Sequence, residues 1–279
     1  MTFLVTGATG SVGRHVVARL RDAGAQVRAV TRNPGTAGFP ADVEVVAGDL
    51  DRPETLEPAL AGIERAYLFP HDDATAFAEL AKKAGVRRIV VLSSASAGIE
   101  YKREHNSDSH AWHLAVERAV EDSGIACTAI RPGSFASNSL LWADAIRSGS
   151  AVRSPYASAA QAPVHEADIA AVAATALLED GHTGAKYTLS GPASITLAEQ
   201  VRTIGEALGR QTSFEELTPE QGRAELLQNL PEDVVDMLLG YWAEAVDQPE
   251  PVLPTVEQVT GRPARTFAQW AADHVADFR

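Results

Sequence analysis

Cysteine is all but missing from this chain: Cys127 is the only one in 279 residues. No internal disulfide can form, and a structural zinc site wants several thiolate or imidazole ligands. A reducing, cytoplasmic compartment is the expectation. Long apolar runs are missing too. No stretch approaches the roughly 18 residues that read as a membrane span, and residues 1–6 read as a strand, not as the basic start of a signal peptide. Positive charge is short: 37 acidic against 24 basic residues leave a net charge of −13. That balance disfavours direct binding to nucleic acid or to an anionic membrane surface. Lysine is scarce, 4 residues against 20 arginines, which together with abundant alanine reads as base-composition bias. Gly-x-Ser-x-Gly, His-Glu-x-x-His and Gly-Lys-Ser/Thr do not occur where they would carry chemistry, and no carboxylate pair stands out. These gaps speak against an α/β-hydrolase, a zinc protease, a nucleoside triphosphatase and a glycosidase.

What is present is an ordinary globular composition, 45% apolar and 22% charged, long enough for one or two domains. In the first half, short β-branched runs alternate with helical periodicity. Strands are expected at 3–6, 26–31, 43–47, 65–69, 87–92 and 125–130. Helices are expected at 12–22, 53–60, 73–84 and 108–122, with Gly24, Gly85 and Gly124 as stops for three of them. Such alternation implies right-handed crossovers and a doubly wound parallel sheet covered by helices on both faces. After Pro132 the rhythm changes. Helices are expected at 167–178, 196–208, 218–228 and 232–246 and from 266, with strands at 185–190 and 213–217 and a Pro-rich stretch at 248–254. The expected organisation is a nucleotide-binding domain over 1–150 and a smaller α+β lobe over 151–279, with some later segments returning to the sheet.

The sharpest local signal is Thr6-Gly7-Ala8-Thr9-Gly10-Ser11-Val12-Gly13, directly after a strand and directly before a helix. Gly7 permits a tight turn, Gly10 lets backbone amides approach a pyrophosphate, and Gly13 lets the helix pack close to the strand. The anion would rest on the amides opening the helix, near Thr9, Ser11 and Val12. The second strand ends on Arg32 and no carboxylate follows it, so a guanidinium stands where a 2′-phosphate would be. NADP(H) is favoured, with NAD(H) as the alternative. After the third strand, Gly48-Asp49-Leu50 places Asp49 and Leu50 at the adenine. Phe69 and Pro70 after the fourth strand, and Ser93 and Ser94 after the fifth, stand at the carboxyl ends that line the crevice of an open sheet. Without a ligand, each of these motifs reads simply as a turn or a solvated loop.

With these motifs, with Arg131-Pro132-Gly133 after strand six, and with Ala162-Pro-Val-His-Glu-Ala-Asp168 and Gly191-Pro192 further on, the chain resembles the atypical short-chain dehydrogenase/reductases. The similarity is to the NmrA-like subgroup, which includes NAD(P)H quinone oxidoreductases, and it covers nearly the whole chain. It implies a Rossmann-type domain with a C-terminal substrate lobe, and it puts Pro132, Gly133 and Phe135 at the nicotinamide end. One departure matters. Catalytic short-chain dehydrogenases carry Tyr-x-x-x-Lys on the helix after strand five. Aligned through Glu117 and Arg131, those positions fall on Ser109 and His113, and no Tyr-x-x-x-Lys occurs anywhere in the sequence. Tyr101 and Lys102 are adjacent and do not share a helix face.

His105, His110 and His113 form a dense group. His113 occupies the lysine position, beside the expected nicotinamide ribose, and is the candidate catalytic acid, since imidazole titrates near neutrality. The plainer reading is a hydrogen-bonded packing residue. No metal site is expected. His71 and His165 read as lone structural histidines. Phe135, Asn138 and Trp142, with Tyr156 as a weaker candidate, are the expected substrate contacts: aromatic rings for a flat ligand and an amide for a carbonyl. The same aromatics fit a core. The expected activity is NAD(P)H-dependent reduction of a planar quinone or aromatic ketone, which tolerates loss of the tyrosine because the product oxyanion is delocalised. The resemblance further points to an aromatic polyketide intermediate, with a partner oxygenase or self-association. The alternative is an NmrA-like regulator that binds NAD(P) without turnover.

Overall fold

A computed structural model describes residues 1–98 and 107–279. Tyr101, Lys102 and His105 lie outside the described residues. In chain order the elements are β1 (Thr2–Val5), α1 (Ser11–Asp22), β2 (Gln26–Thr31), β3 (Glu44–Ala47), α2 (Glu57–Leu60), β4 (Arg65–Leu68), α3 (Ala74–Ala84), β5 (Arg88–Leu92), α4 (Asp108–Asp122) and β6 (Ala126–Pro132). There follow α5 (Ala143–Arg147), β7 (Val152–Ser154), β8 (Ala160–Gln161), α6 (Glu166–Leu178), β9 (Lys186–Leu189), β10 (Ile195–Thr196), α7 (Leu197–Leu208), β11 (Phe214–Glu216), α8 (Pro219–Leu226), α9 (Glu232–Asp247), α10 (Thr255–Thr260) and α11 (Phe267–Asp273).

Two compact units are discontinuous in sequence. One comprises Met1–Gly133, Glu166–Leu189 and Thr255–Arg262; the other comprises Ser134–His165, Ser190–Pro254 and Pro263–Arg279. The chain thus first leaves the first unit after Gly133 and returns to it twice.

The first unit is built on a seven-stranded sheet in the order β3-β2-β1-β4-β5-β6-β9. Every neighbouring pair is parallel. All residues of β5 are buried, as expected for a central parallel strand covered on both faces. On one face Leu56, Leu60, Phe77, Ala81, Val116 and Val120 pack on strand residues such as Leu4, Leu68, Ile89 and Val91. On the other, α6 lies against α1, β4, β5 and β6. Helix α6 is almost wholly buried, and its alanines keep it slim enough to fit there. Gly24, Gly85 and Gly124 take left-handed φ values of 76°, 87° and 78°, as the expected stops require. The helix expected over 53–60 is split into a 3-10 turn, Pro53–Leu56, and the single turn α2. Pro58 supplies no N–H for a continuous α-helix.

The second unit has its own core, with Trp142, Ile146, Leu197, Ile204, Trp242, Phe267 and Trp270 at its centre. Two small sheets belong to it, β10-β8 antiparallel and β11-β7 parallel. Helices α7, α8 and α11 each open on a complete capping box, Thr196 with Glu199, Thr218 with Gln221 and Thr266 with Gln269.

Candidate dinucleotide site

Strand β1 delivers the chain into the glycine turn, and Thr6 fastens that turn to the loop after β4. The Thr6 amide and hydroxyl both donate to the Tyr67 carbonyl, each at 3.1 Å, and the hydroxyl oxygen accepts from the Phe69 amide at 2.8 Å. Gly7 has φ +57°, and a Cβ there would lie 2.9 Å from Cβ of Phe69. The Gly10 amide donates to the Gly7 carbonyl at 3.0 Å and closes the turn. Gly10 is the N-cap of α1 and brings no side-chain acceptor, and the first turn holds no acidic residue. The amides of Ser11, Val12 and Gly13 therefore meet no capping oxygen, and the helix presents an uncompensated positive end. A Cβ on Gly13 would sit 2.1 Å from the Gly7 carbonyl oxygen, so only glycine lets α1 start this close to the turn. Arg14 donates to the Thr9 carbonyl at 2.8 Å and adds positive charge beside the turn. A diphosphate fits this cradle: donors, dipole and absent side chains all favour a bulky anion.

A cleft of about 340 Å³ opens on the turn. It brings together seven of the residues expected from the sequence: Gly7, Thr9, Gly10, Arg32, Asp49, Leu50 and Phe69. Thr6, Val30, Thr31, Gly48, Asp51 and His71 join them without having been expected. Gly48 is required by contact: a Cβ would lie 2.7 Å from Val30 Cγ1 and 2.9 Å from Leu56 Cδ2. The Asp49 amide donates to Thr55 Oγ1 at 2.9 Å, and the Asp49 carboxylate accepts from the Asp51 amide at 3.2 Å and lies 3.7 Å from Arg52. Its charge is thus largely spent on its own turn. Asp51 accepts from His71 Nε2 at 2.7 Å, and that bond, with the Arg32 charge further off, holds its carboxyl below the ordinary range. Among the described residues the Arg32 guanidinium has no hydrogen-bonded partner. Pro70 lies in the loop between these groups and α3 but does not line the cleft.

The carboxyl ends of β5 and β6 face a different set of side chains. Ser93 donates to Glu117 at 2.5 Å, and Arg131 grips the same carboxylate with Nε and a terminal nitrogen at 2.8 and 2.7 Å. Glu117 is fully buried. Burial pushes its carboxyl upward, but the bonds from Arg131 and Ser93 and the charges of Arg131 and Lys186 outweigh this and hold it below the usual range. Ser94 accepts from the Ser96 amide at 3.1 Å and caps the short turn after β5. The Gly133 amide donates to the Leu189 carbonyl at 2.9 Å, so Pro132 and Gly133 extend the β6–β9 pairing.

Helix α4 carries the two positions aligned with the missing pair. Ser109 donates to Ser96 Oγ at 3.0 Å. His113 is half-buried, its ring meets Trp112 edge-on at 4.6 Å, and its buried Nδ1 has no hydrogen-bond partner among the described residues. Burial pushes its imidazole down to about 4, against a small opposing effect of Glu117. The ring is therefore neutral at pH 7. Trp112 donates its indole N–H to Asp72. In the second unit, Phe135 is half-buried and bridges to Val164, Asn138 is exposed, and Trp142 is packed in the core at 9% exposure. Tyr156 is the one non-glycine with positive φ, +60°, among the described residues.

Two features escaped the sequence. Asp51 stands next to an expected motif but has no motif of its own, and His71 reads as a lone histidine until the fold brings them together. The Glu117–Arg131 pair served as an alignment anchor, and its buried bidentate geometry appears only once β6 and α4 are packed.

Comparison with known proteins agrees with this geometry. The NAD(P)H-binding family matches residues 7–180. The chain is 39% identical to (4-alkanoyl-5-oxo-2,5-dihydrofuran-3-yl)methyl phosphate reductase of Streptomyces griseus subsp. griseus, over 99% of this chain and 98% of that one. It is 34% identical to an NAD(P)H azoreductase of Xenophilus azovorans, again over 99% and 98%. Among solved structures, the NADPH-dependent quinone oxidoreductase of Escherichia coli in complex with NADPH superposes with a TM-score of 0.80 at 26% identity, covering 97% of this chain and 99% of that one. The likeness to the quinone-oxidoreductase group inferred from the motifs is thereby borne out. Among the described residues no helix is long and apolar enough to cross a membrane. The chain belongs to the NAD(P)H-binding family and is an NAD(P)H-dependent oxidoreductase.

Proposed function

We propose that the chain reduces a planar, electron-poor acceptor with NADPH as the preferred donor. The acceptor is a quinone or a conjugated carbonyl compound of the aromatic polyketide kind. The observation that carries the cofactor preference is Arg32, a guanidinium that lines the cleft directly after β2, has no hydrogen-bonded partner among the described residues, and is followed by Asn33 and Pro34 and not by a carboxylate. The acceptor class is supported by the relatives: a quinone, an azo compound and an alkanoyl-oxo-dihydrofuran all present an electron-poor multiple bond.

The bound nicotinamide supplies a hydride. The chain's own residues hold the dinucleotide and leave the acceptor to do the rest. Amides of the glycine turn and of Ser11, Val12 and Gly13 take the diphosphate; Arg32 takes the 2′-phosphate; Asp49 and Leu50 flank the adenine. Ser94, Pro132 and Gly133 flank the nicotinamide end, while Ser93 acts through its bond to Glu117. His113, neutral at pH 7, serves as a hydrogen-bonding group and not as an imidazolium acid. The proton that completes the reduction comes from water, which suffices when the developing oxyanion is delocalised over a conjugated product. Phe135, Asn138 and Tyr156 contact the acceptor, with Trp142 supporting them from the core.

The test is to mix pure protein with NADPH and three acceptors, a quinone, an azo dye and an acyl-dihydrofuranone, and to follow loss of the reduced nicotinamide. Consumption above the buffer rate with at least one acceptor is expected. Tight NADPH binding with no turnover on any acceptor would overturn the reductase reading in favour of a nucleotide-sensing role.

A further inference from the structure

The cleft at the glycine turn carries charges of both signs. Arg32 and Asp51 both line it, and so does His71. The Asp73 amide donates to His71 Nδ1 at 3.0 Å. A backbone amide only donates, so Nδ1 carries no proton and Nε2 does. The ring is thereby fixed as the tautomer that donates to Asp51 Oδ1 at 2.7 Å. The second oxygen of Asp51 has no partner among the described residues, and the side chain is 72% exposed. The other charged groups of this loop cancel, since Asp49 is paired with Arg52. What remains at this end of the cleft is one guanidinium and one carboxylate.

We infer that Asp51, held in place by His71, is a second cofactor-selectivity residue that opposes Arg32. This rests on the reading of the cleft as the dinucleotide site. Arg32 favours a 2′-phosphate by charge and by fork geometry. The Asp51 carboxylate in the same cleft repels the same dianion, whereas its free oxygen can accept a hydrogen bond from a ribose hydroxyl. The pair therefore narrows the preference for NADP(H) and keeps the non-phosphorylated dinucleotide usable. With a solvent-exposed carboxylate the repulsion is modest, roughly five-fold in affinity at low ionic strength, and it fades as salt screens it.

Asp51→Asn tests this, because asparagine keeps the size and, through its carbonyl oxygen, the His71 hydrogen bond, while it removes the charge and turns the free acceptor oxygen into an N–H donor. Calorimetry of the full chain with NADP⁺ and with NAD⁺, at low and at physiological salt, reads the result without turnover. The variant should bind NADP⁺ about five-fold more tightly at low salt, with the gain shrinking as salt rises, and should bind NAD⁺ no better or more weakly. Equal changes for the two dinucleotides, or no gain for NADP⁺ at low salt, would overturn the inference while leaving the dinucleotide site intact. If the unmodified chain binds neither dinucleotide, the reading of the cleft itself falls, and the inference with it.

Discussion

Replacing Gly13 by alanine sets two physical rules against each other. Gly13 is the third residue of α1, and in an ordinary helix Gly→Ala is stabilising by about 0.5–1 kcal/mol because alanine loses less backbone entropy. Here the added Cβ would lie 2.1 Å from the Gly7 carbonyl oxygen, 2.8 Å from its carbon and 3.0 Å from Ala8 Cα. All three are backbone atoms of a turn that is itself fastened by Thr6 and Gly10, so no flexible side chain can swing away. Relief requires a shift of roughly 1 Å between the turn and the helix, against carbon contacts that are comfortable only beyond ~3.5 Å. Overpacking of this kind costs ~1–3 kcal/mol, and the upper half of that range applies because both sides are backbone. The net expectation is a loss of about 2 kcal/mol despite the favourable propensity. The same shift moves the Ser11 and Val12 amides off the diphosphate, and dinucleotide affinity should fall by ten-fold or more. Gly24→Ala is the control: a Cβ there meets nothing within 4 Å, but φ is +76°. It should cost ~1–2 kcal/mol of stability and leave dinucleotide affinity unchanged. Urea unfolding and calorimetry of both variants read the two quantities. A Gly13→Ala protein as stable as the parent, with undiminished affinity, would refute the close-approach argument.

Arg32→Ala should weaken NADPH by about ten-fold and leave NADH nearly untouched, since only the former loses a charge-assisted contact; equal losses would show that Arg32 has another task. Glu117→Gln should lower stability by ~3–5 kcal/mol in urea unfolding, because it leaves the Arg131 guanidinium buried without its counter-charge. A loss under 1 kcal/mol would mean that water or Glu121 takes over. The pH dependence follows with its sign. The folded carboxyl of Glu117 lies below its unfolded value, so its contribution is present above the unfolded pKa and is lost as pH falls through the folded one. The imidazole of His113 is also depressed, to about 4. Between the ordinary histidine value and about 4 the unfolded chain binds the extra proton, so acid destabilises the fold there as well. In a nuclear magnetic resonance titration the His113 ring should stay neutral down to pH 5, and a midpoint near 6.5 would contradict its burial.

The parallel sheet was legible because its strands are continuous β-branched runs, such as Arg88-Ile-Val-Val-Leu92, and because glycines with left-handed φ close the helices between them. The bounds expected for β2 and α4 coincide with those of the structure. The capping box at Thr196 was legible for the same local reason. Five short elements outside that alternation were not: β7, β8, β10, α5 and α10 have two to six residues and are too short to establish a period on their own. The discontinuous units were only half visible, since composition changes after Pro132 but nothing local says that residues 166–189 close the first sheet. In the site, residues read from a motif gathered around one cleft because the motif itself encodes a strand-to-helix turn. The Asp51–His71 bond joins loops that follow strands β3 and β4, which have two other strands between them in the sheet, and no spacing in the sequence foretells that meeting.

The account rests on the glycine turn as a cradle for the diphosphate of a redox dinucleotide. Calorimetric titration of the unmodified chain with NADPH tests this most directly. One saturable site per chain, tighter for NADPH than for NADH, is the predicted result. Absence of saturable heat with either dinucleotide at millimolar concentration would contradict it.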